Sequence, residues 1–524
     1  MNIAQILCLH AEKRPDATAI LDFHHGRDRS ISFAGLALES SRAAALLKSK
    51  GVEAGDAVLI FHPMSAELYA ALIGSFRLGA IPMFLDPSSG REHMERCCKM
   101  WPPKALLAST KVHLLRFVSP ALRAIPVKLA IGPPCPATDS WSSTRNVPPL
   151  KELFDCAADS PALITFTSGS TGMPKAAVRT HGFLLEQHRV LAQNLGLTPG
   201  DVDLTTLPIF VIANLGSGVC SLIAAGDLKS PGAIEPAPIV RQIQTHKPKR
   251  AVASPAFLER LADFCAVRQL KLPELENVFV GGAPVFPNLL RKIHGVAPKA
   301  AITALYGSTE AEPIAEAAYS EMQPPDLDAM VAGRGLLAGL SVPQIRLSVI
   351  QNGWGAPLGP FTASGFESLR VSVGEPGEIV VSGAHVLPGY LHACGDAETK
   401  FDVDGVRWHR TGDAGYLDER GRLWLLGRCE ALIHDSRGVL YPFSVECAAM
   451  QIPGVRRAAL IAHVGRRLLA LELHKGANPD TASHVREAIC WAEVESVIVL
   501  KKIPVDKRHN SKVNYMELRR VLGH

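Results

Sequence analysis

The feature that most restricts the fold is an alternation beginning at Ser32. A helical stretch, SFAGLALESSRAAALLKSKG, is followed by a strand at Ala57 to Phe61, a helix across Ala66 to Leu78, a strand at Ile81 to Leu85 and another at Lys104 to Ser109. The helical stretches repeat their apolar residues every three or four positions, and the strands are short continuous apolar runs. That combination predicts a mostly parallel sheet covered on both faces by helices. At 524 residues the chain is too long for one core, so two or three domains are expected.

Composition narrows the partners. The formal charge is +5 and lacks a basic block, which argues against nucleic acid and leaves anionic small molecules as partners. The N-terminus carries Ile3, Ile6, Leu7 and Leu9 with charges soon after, an amphipathic helix ending before Pro15 rather than a secretory signal. No run approaches the ~18 apolar residues of a membrane span, so no transmembrane segment and a cytoplasmic location are expected. The eleven cysteines are scattered with no CxxC pair, which suggests neither a zinc site nor a disulfide framework but buried free thiols.

The chemistry concentrates in Ala162-Leu-Ile-Thr-Phe-Thr-Ser-Gly-Ser-Thr-Gly-Met-Pro-Lys175. Ala162 to Phe166 suits a buried strand. Thr167, Ser168, Gly169, Ser170, Thr171 and Gly172 then supply four hydroxyls and two glycines, so backbone N–H groups and hydroxyls can crowd around a phosphate chain. Lys175 adds positive charge. The spacing is not that of a Walker loop, because the lysine follows Met-Pro and no Ser or Thr comes after it. Taken alone, the run also suits an ordinary polar turn.

Downstream, residues 132 to 149 read as a surface crossing, Gly182 to Leu195 as a helix, and Asp203 to Ile212 as strand-like through LPIFVI. Asn277 to Val285 reads as a strand ending in a Gly-Gly turn, Pro287 to His294 as a helix, and Ala301 to Leu305 as a strand running into YGSTEAE. Two strand ends thus open onto glycine-containing loops, the edge of an α/β sheet where ligands bind. Beyond Val371 short β segments and turns take over, and after Arg428 a smaller unit follows, with Val455 to His463, Leu468 to His474, a helix near Ala482 to Trp491 and Val497 to Leu500.

Four more stations follow the hydroxyl-rich loop: YGSTEAE at Tyr306 to Glu312, RTGDAGYLDERG at Arg410 to Gly421, Gly427-Arg428, and PVDKRHNSKV at Pro504 to Val513. In this order, with TFTSGSTGMPK, they resemble the acyl-adenylating superfamily of acyl-CoA synthetases, peptide-synthetase adenylation domains and luciferases. The resemblance covers nearly the whole chain. It implies an α/β fold: a large N-terminal domain (1–427) of parallel sheets flanked by helices, with a β-rich part at about 340–427. A hinge at 428–431 and a small, mobile α+β C-terminal domain (432–524) carrying Lys512 complete it.

The resemblance also implies ATP and Mg²⁺ as cofactors and a carboxylic acid as substrate. Joining a carboxylate to the α-phosphate of ATP brings two anions together, so catalysis is mainly charge neutralisation and alignment. Thr167, Ser168, Gly169, Ser170, Thr171, Gly172 and Lys175 would hold the phosphates, and Glu310 with Thr171 the Mg²⁺. Gly281, Gly282, Ala283 and Pro284 map to the adenine slot, with Tyr306 stacking on the base beside Gly307, Ser308 and Thr309. Asp413 would accept from the ribose diol with Arg428 beside it. Lys512 would enter the cleft and bridge carboxylate and α-phosphate, a transient task suited to a point charge on a flexible stem.

Finer details resemble the β-lactone synthetases of bacterial olefin biosynthesis: LDPSSG at Leu85 to Gly90, SPAFL at Ser254 to Leu258, YGSTEAEPIA at Tyr306 to Ala315, LYPFSVE at Leu440 to Glu446 and KRHNSKV at Lys507 to Val513. Such enzymes activate a β-hydroxy fatty acid whose own hydroxyl then displaces AMP. The alternative is a fatty-acyl-CoA ligase using CoA or an acyl carrier protein, and a more remote one is a non-catalytic ATP-binding relative. Ala431 stands where thioester-forming members usually carry an acidic hinge residue, and His434 where they carry a lysine. Phe210, Val211 and Ile212 would form an apolar wall favouring an acyl chain. A homodimer stays open.

Overall fold

Helices and strands alternate through the N-terminal half in nearly the order the apolar pattern predicts. The structure is a computed structural model that describes residues 1–85, 90–168, 174–463, 465–505 and 513–523. Its contacts divide into two compact units. The first comprises Met1–Leu228, Ala237–Val252 and Gly389–Asp396, and the second Lys229–Pro236, Ala253–Pro388 and Ala397–His524.

In the first unit a seven-stranded sheet runs in the order Asp139–Ser140, Val127–Ile131, Ala105–Ser109, Ala57–Phe61, Ile81–Phe84, Pro161–Ser168 and Pro174–Thr180. Its neighbours are parallel except the last pair, an antiparallel hairpin in which Thr167 faces Lys175. The helix Ala66–Leu78 ends where its residue types dictate. Ser65 accepts from the Leu68 N–H at its start, and Gly79, at φ +76°, closes it against the Phe154 ring where a Cβ would collide. Leu59, Met83, Leu106 and Ile164 are buried between the sheet and its helices, each contributing about 1.5–3 kcal/mol by leaving water.

The same unit holds a second set of strands, Arg250–Ala253, Val202–Thr205, Cys220–Ile223 and Thr18–His24, mutually parallel, with Arg27–Ser32 returning antiparallel. Here one expectation is corrected. The strand ends at Thr205, and LPIFVI belongs to a helix, Pro208–Gly216. Pro208 sits at its first position with φ already helical, and a short run of apolar residues cannot by itself distinguish a buried helix from a strand.

The second unit begins with Asn277–Val280 parallel to Ala301–Ser308 and continues as antiparallel neighbours: Ala311–Ala318, Leu336–Ser341, Leu423–Arg428, Val406–Leu417, Gly377–Ser382 and Arg346–Ile350. Arg410 and Glu378 face each other inside it. The guanidinium donates to both carboxylate oxygens at 2.7 Å, and neither side chain has any exposure. Arg410 also donates to the carbonyls of Ala356 (2.5 Å) and Glu398 (3.2 Å), and its guanidinium lies 5.2 Å from the Trp354 ring centroid.

Toward the C-terminus the unit carries a hydrophobic cluster drawn from Ile433, Val445, Leu460, Leu469, Val485 and their neighbours. Val455–His463 and Arg466–Leu473 pair antiparallel, with Ser496–Leu500 parallel to the latter. Beneath them Glu446 is buried, accepting from the Tyr515 hydroxyl at 2.7 Å and the Leu460 N–H at 2.9 Å. Burial pushes its carboxyl up to about 7 from the usual 4.5, against the lowering effect of those two bonds.

The folded state therefore holds an extra proton between those values. The stability this group contributes is fully present below about 4.5 and is lost as pH rises through about 7. Between about pH 5 and about pH 8, Glu446→Gln should remove on the order of 3 kcal/mol of pH-dependent stability, read as urea midpoints of the two proteins. A pH slope unchanged in the variant would assign the effect to other groups.

All eleven cysteines are free. Most are buried, as expected, but Cys394 and Cys490 are exposed. No helix among the described residues is long and apolar enough to cross a membrane.

Candidate active site

Three predicted nucleotide contacts meet in the second unit, each delivered by a strand. Val406–Leu417 and Leu423–Arg428 pair with Asp413 opposite Arg428, where the Asp413 Oδ1 lies 3.2 Å from Arg428 Nη1. Tyr306, on Ala301–Ser308, donates its hydroxyl to Asp413 Oδ2 at 2.8 Å. The Asp413 N–H donates to Thr411 Oγ1 at 3.0 Å, and Arg428 donates to the Thr411 carbonyl at 3.2 Å, which ties the two strands together.

The electrostatics follow from this geometry. Burial and the adjacent Asp413 carboxylate push the Tyr306 phenol up, so it stays a donor. Asp413 holds the Arg428 guanidinium more firmly protonated than usual. A carboxylate offers about four lone-pair sites, and Tyr306 and Arg428 engage one oxygen each, so Asp413 retains capacity to accept from a vicinal diol. Those residues fit a ribose.

The strand Asn277–Val280 ends in a turn at Gly281 and Gly282, as its sequence predicts. Gly281 packs so close to the strand carrying Tyr306 that a Cβ would lie 3.3 Å from the Leu305 Cβ, while Gly282, at φ +87°, faces open space. Ala283 is half-buried and Pro284 exposed beside it.

YGSTEAE, however, is less a loop than a hairpin. Ser308 pairs with Ala311 across a tight turn at Thr309 and Glu310, because Ser308 Oγ accepts from the Glu310 N–H at 3.2 Å and the Leu387 N–H donates to the Glu310 carbonyl at 2.7 Å. Gly307 has a close approach of its own, since a Cβ would lie 3.0 Å from the Ala311 carbonyl. Glu310 is half-buried at the tip. Mg²⁺ is held through one or two carboxylates together with substrate phosphates and water, so a single glutamate suits it. Among the described residues no group of three or more His, Cys, Asp or Glu could hold a metal by itself.

Lys175 belongs to the first unit. It is buried on Pro174–Thr180, with its ammonium 5.6 Å from the Tyr390 ring centroid. Ala177, two residues on, bridges to Tyr390, and a Cβ at Gly395 would come within 2.6 Å of the Lys175 Nζ. Tyr390 and Gly395 carry no signal of their own in the sequence, where they fall among the short β segments and turns beyond Val371. Phe210 and Val211 are buried in the helix Pro208–Gly216, and Ile212 borders a small apolar cavity with Leu7, Tyr69, Ile73 and Leu215. Gly169, Ser170, Thr171, Gly172 and Lys512 lie outside the described residues, as do the side chains of Thr167 and Ser168.

Asp413→Ala should raise the KM for ATP about tenfold to a hundredfold, the loss of charge-assisted bonds to a diol. Tyr306→Phe, which removes only the bond that orients Asp413, should cost less. Initial rates at varied ATP check both, and an unchanged KM in Asp413→Ala would take the carboxylate out of nucleotide binding.

A family model described as AMP-binding enzyme matches residues 9–391, and the chain belongs to that family of adenylate-forming enzymes. Over 99% of its length and 97% of the other's, the chain is 29% identical to an olefin beta-lactone synthetase of Stenotrophomonas maltophilia. It is 27% identical to the indoleacetate–CoA ligase of Aromatoleum aromaticum over 89% of this chain and 86% of that one. Its fold matches the ATP-bound structure of MatB from Rhodopseudomonas palustris with a TM-score of 0.81, at 22% identity and 99% coverage of both chains.

Proposed function

We propose that this enzyme converts a β-hydroxy fatty acid to its acyl-adenylate and then to a β-lactone. In the first step a carboxylate oxygen bonds to the α-phosphorus of ATP, the α–β P–O bond breaks, and pyrophosphate leaves. In the second the acid's own hydroxyl oxygen attacks the acyl carbon, loses its proton, and AMP departs with the mixed-anhydride oxygen. The observation that carries the first step is the Tyr306–Asp413–Arg428 array in a chain of the AMP-binding family.

In this reading Asp413 and Arg428 orient the ribose, Tyr306 and Gly282 to Pro284 flank the base, and the hydroxyl-rich loop with Lys175 neutralises the phosphates. Glu310 and Thr171 would hold Mg²⁺, which would supply charge neutralisation on the phosphate oxygens. Residues 432–524 act as a small lobe turning at 428–431 to bring in Lys512. The acyl chain lies against Phe210, Val211 and Ile212, and the enzyme works in the cytoplasm.

The lactone outcome is supported by full-length likeness to a beta-lactone synthetase and by Ala431 at the hinge. Similarity to a CoA ligase supports the second reading, transfer to CoA or a carrier-protein thiol. Purified enzyme with ATP, Mg²⁺ and either a fatty acid or its β-hydroxy form, with and without CoA, separates them by product mass. The lactone reading expects a product lighter than the hydroxy acid by one water, without CoA. Thioester formed only with CoA would overturn it, and no pyrophosphate with any acid would favour a non-catalytic relative.

A further inference from the structure

In the first unit the chain turns itself inside out at residues 113–119. Leu114–Phe117 is a 3-10 helix, which has three residues per turn and stacks positions i and i+3 on one edge. The edge of His113, Arg116 and Ser119 is the buried one. The His113 Nε2 pairs with the Leu129 carbonyl at 2.9 Å, and Arg116 donates to the carbonyls of His113, Ala137 and Pro136. Ser119 donates to Glu95 at 2.7 Å.

The two remaining edges carry Leu114 and Phe117, and Leu115 and Val118. These four are 56%, 68%, 38% and 54% exposed. Single exposed apolar residues need no explanation, but four adjacent ones over a polar, hydrogen-bonded underside reverse the usual arrangement. Their presence is not forced by the local fold, since the polar edge already anchors the turn.

Along the chain, the charge on either side of them has one sign. From Arg96 to Thr138 the chain has no Asp or Glu, yet carries Arg96, Lys99, Lys104, Lys111, Arg116, Arg123 and Lys128. Lys111 and Arg123 are exposed on either side of the turn, and Arg123 donates to the Phe117 carbonyl at 2.7 Å. The bordering acids are engaged, Glu95 by Ser119 and Asp139 by Lys50 at 2.8 Å.

We infer that this face docks on an anionic membrane surface, with Leu114, Leu115, Phe117 and Val118 entering the headgroup boundary and the flanking lysines and arginines meeting lipid phosphates. Apolar insertion and basic flanks are the two signals that together give stable interfacial binding, whereas either alone gives weak, reversible contact. A protein partner would be matched as well by mixed charge at the rim, and the lack of any Asp or Glu from Arg96 to Thr138 favours lipid.

The test is co-sedimentation of the full chain with vesicles of phosphatidylcholine and phosphatidylglycerol in equal parts, and with phosphatidylcholine alone. Wild type should bind the anionic vesicles, and raised salt should release it. Leu114→Ser combined with Phe117→Ser should lower vesicle affinity about a hundredfold, with pyrophosphate exchange on a short, water-soluble acid unchanged as the folding control. Lys111→Glu alone should weaken anionic binding and spare the neutral baseline. No sedimentation of wild type with anionic vesicles, or equal sedimentation of the double variant, would overturn the inference. So would a lipid-free dimer that the double variant dissolves, because the face would then belong to a second copy of the chain.

Discussion

Lys512→Ala is expected to slow acyl-adenylate formation about a thousandfold, the scale on which removing one preorganised donor at a developing charge acts. Nucleotide binding should stay close to wild type, because under the proposed function the hydroxyl-rich loop, Lys175 and the Asp413 array would hold ATP whether or not Lys512 is present. A carboxylate and an α-phosphate repel as they close, and one ammonium between them offsets that repulsion where it peaks. Lys512→Arg should recover little, since a planar fork cannot replace a compact charge between two converging oxygens. Single-turnover formation of acyl-AMP beside a direct measurement of ATP affinity separates the two effects. Loss of affinity in step with loss of rate would make Lys512 a nucleotide ligand instead.

Glu378→Ala is expected to destabilise the second unit by about 3–5 kcal/mol, the range for removing one member of a buried ion pair. Arg410 has no exposure, so the variant leaves a guanidinium in an apolar interior with only carbonyl partners and the Trp354 ring. Glu378→Gln should cost less, because it keeps an acceptor. Replacing both residues, Glu378→Leu with Arg410→Met, should cost less than Glu378→Ala, because no charge is stranded. Arg410 lies three residues before Asp413 on one strand, so KM for ATP should rise in the variants that remain folded. Urea midpoints measure the first effect. A Glu378→Ala protein as stable as wild type would mean water reaches the guanidinium.

The first unit was readable because its signals are local. Ala66 to Leu78 carries its own cap, apolar period and terminating glycine, and the helix has those ends in the structure. LPIFVI misleads because four apolar residues in a row look alike in a strand and in a helix buried on several sides, and the strand reading takes no account of Pro208 at the helix start. YGSTEAE looked like a loop because glycine and hydroxyl residues are loop material, yet its backbone stays paired through Ser308.

The site was half legible for a related reason. The residue types of Tyr306, Asp413 and Arg428 fitted one nucleotide, but their mutual bonds depend on strand register across more than a hundred positions. Tyr390 and Gly395 press on Lys175 from a segment more than two hundred residues away, which no local pattern announces. The inverted turn at Leu114 to Val118 was invisible for the same reason. Which edge of a 3-10 helix is buried depends on what packs beneath it.

Acid-dependent exchange of labelled pyrophosphate into ATP, without CoA, is the decisive measurement. It reports reversible acyl-adenylate formation and nothing after it. A β-hydroxy fatty acid should drive exchange in the wild type, and Lys512→Ala should silence it. Absence of exchange with every carboxylic acid tried, in protein that still binds ATP, would contradict the assignment of this enzyme as a carboxylate-activating ligase.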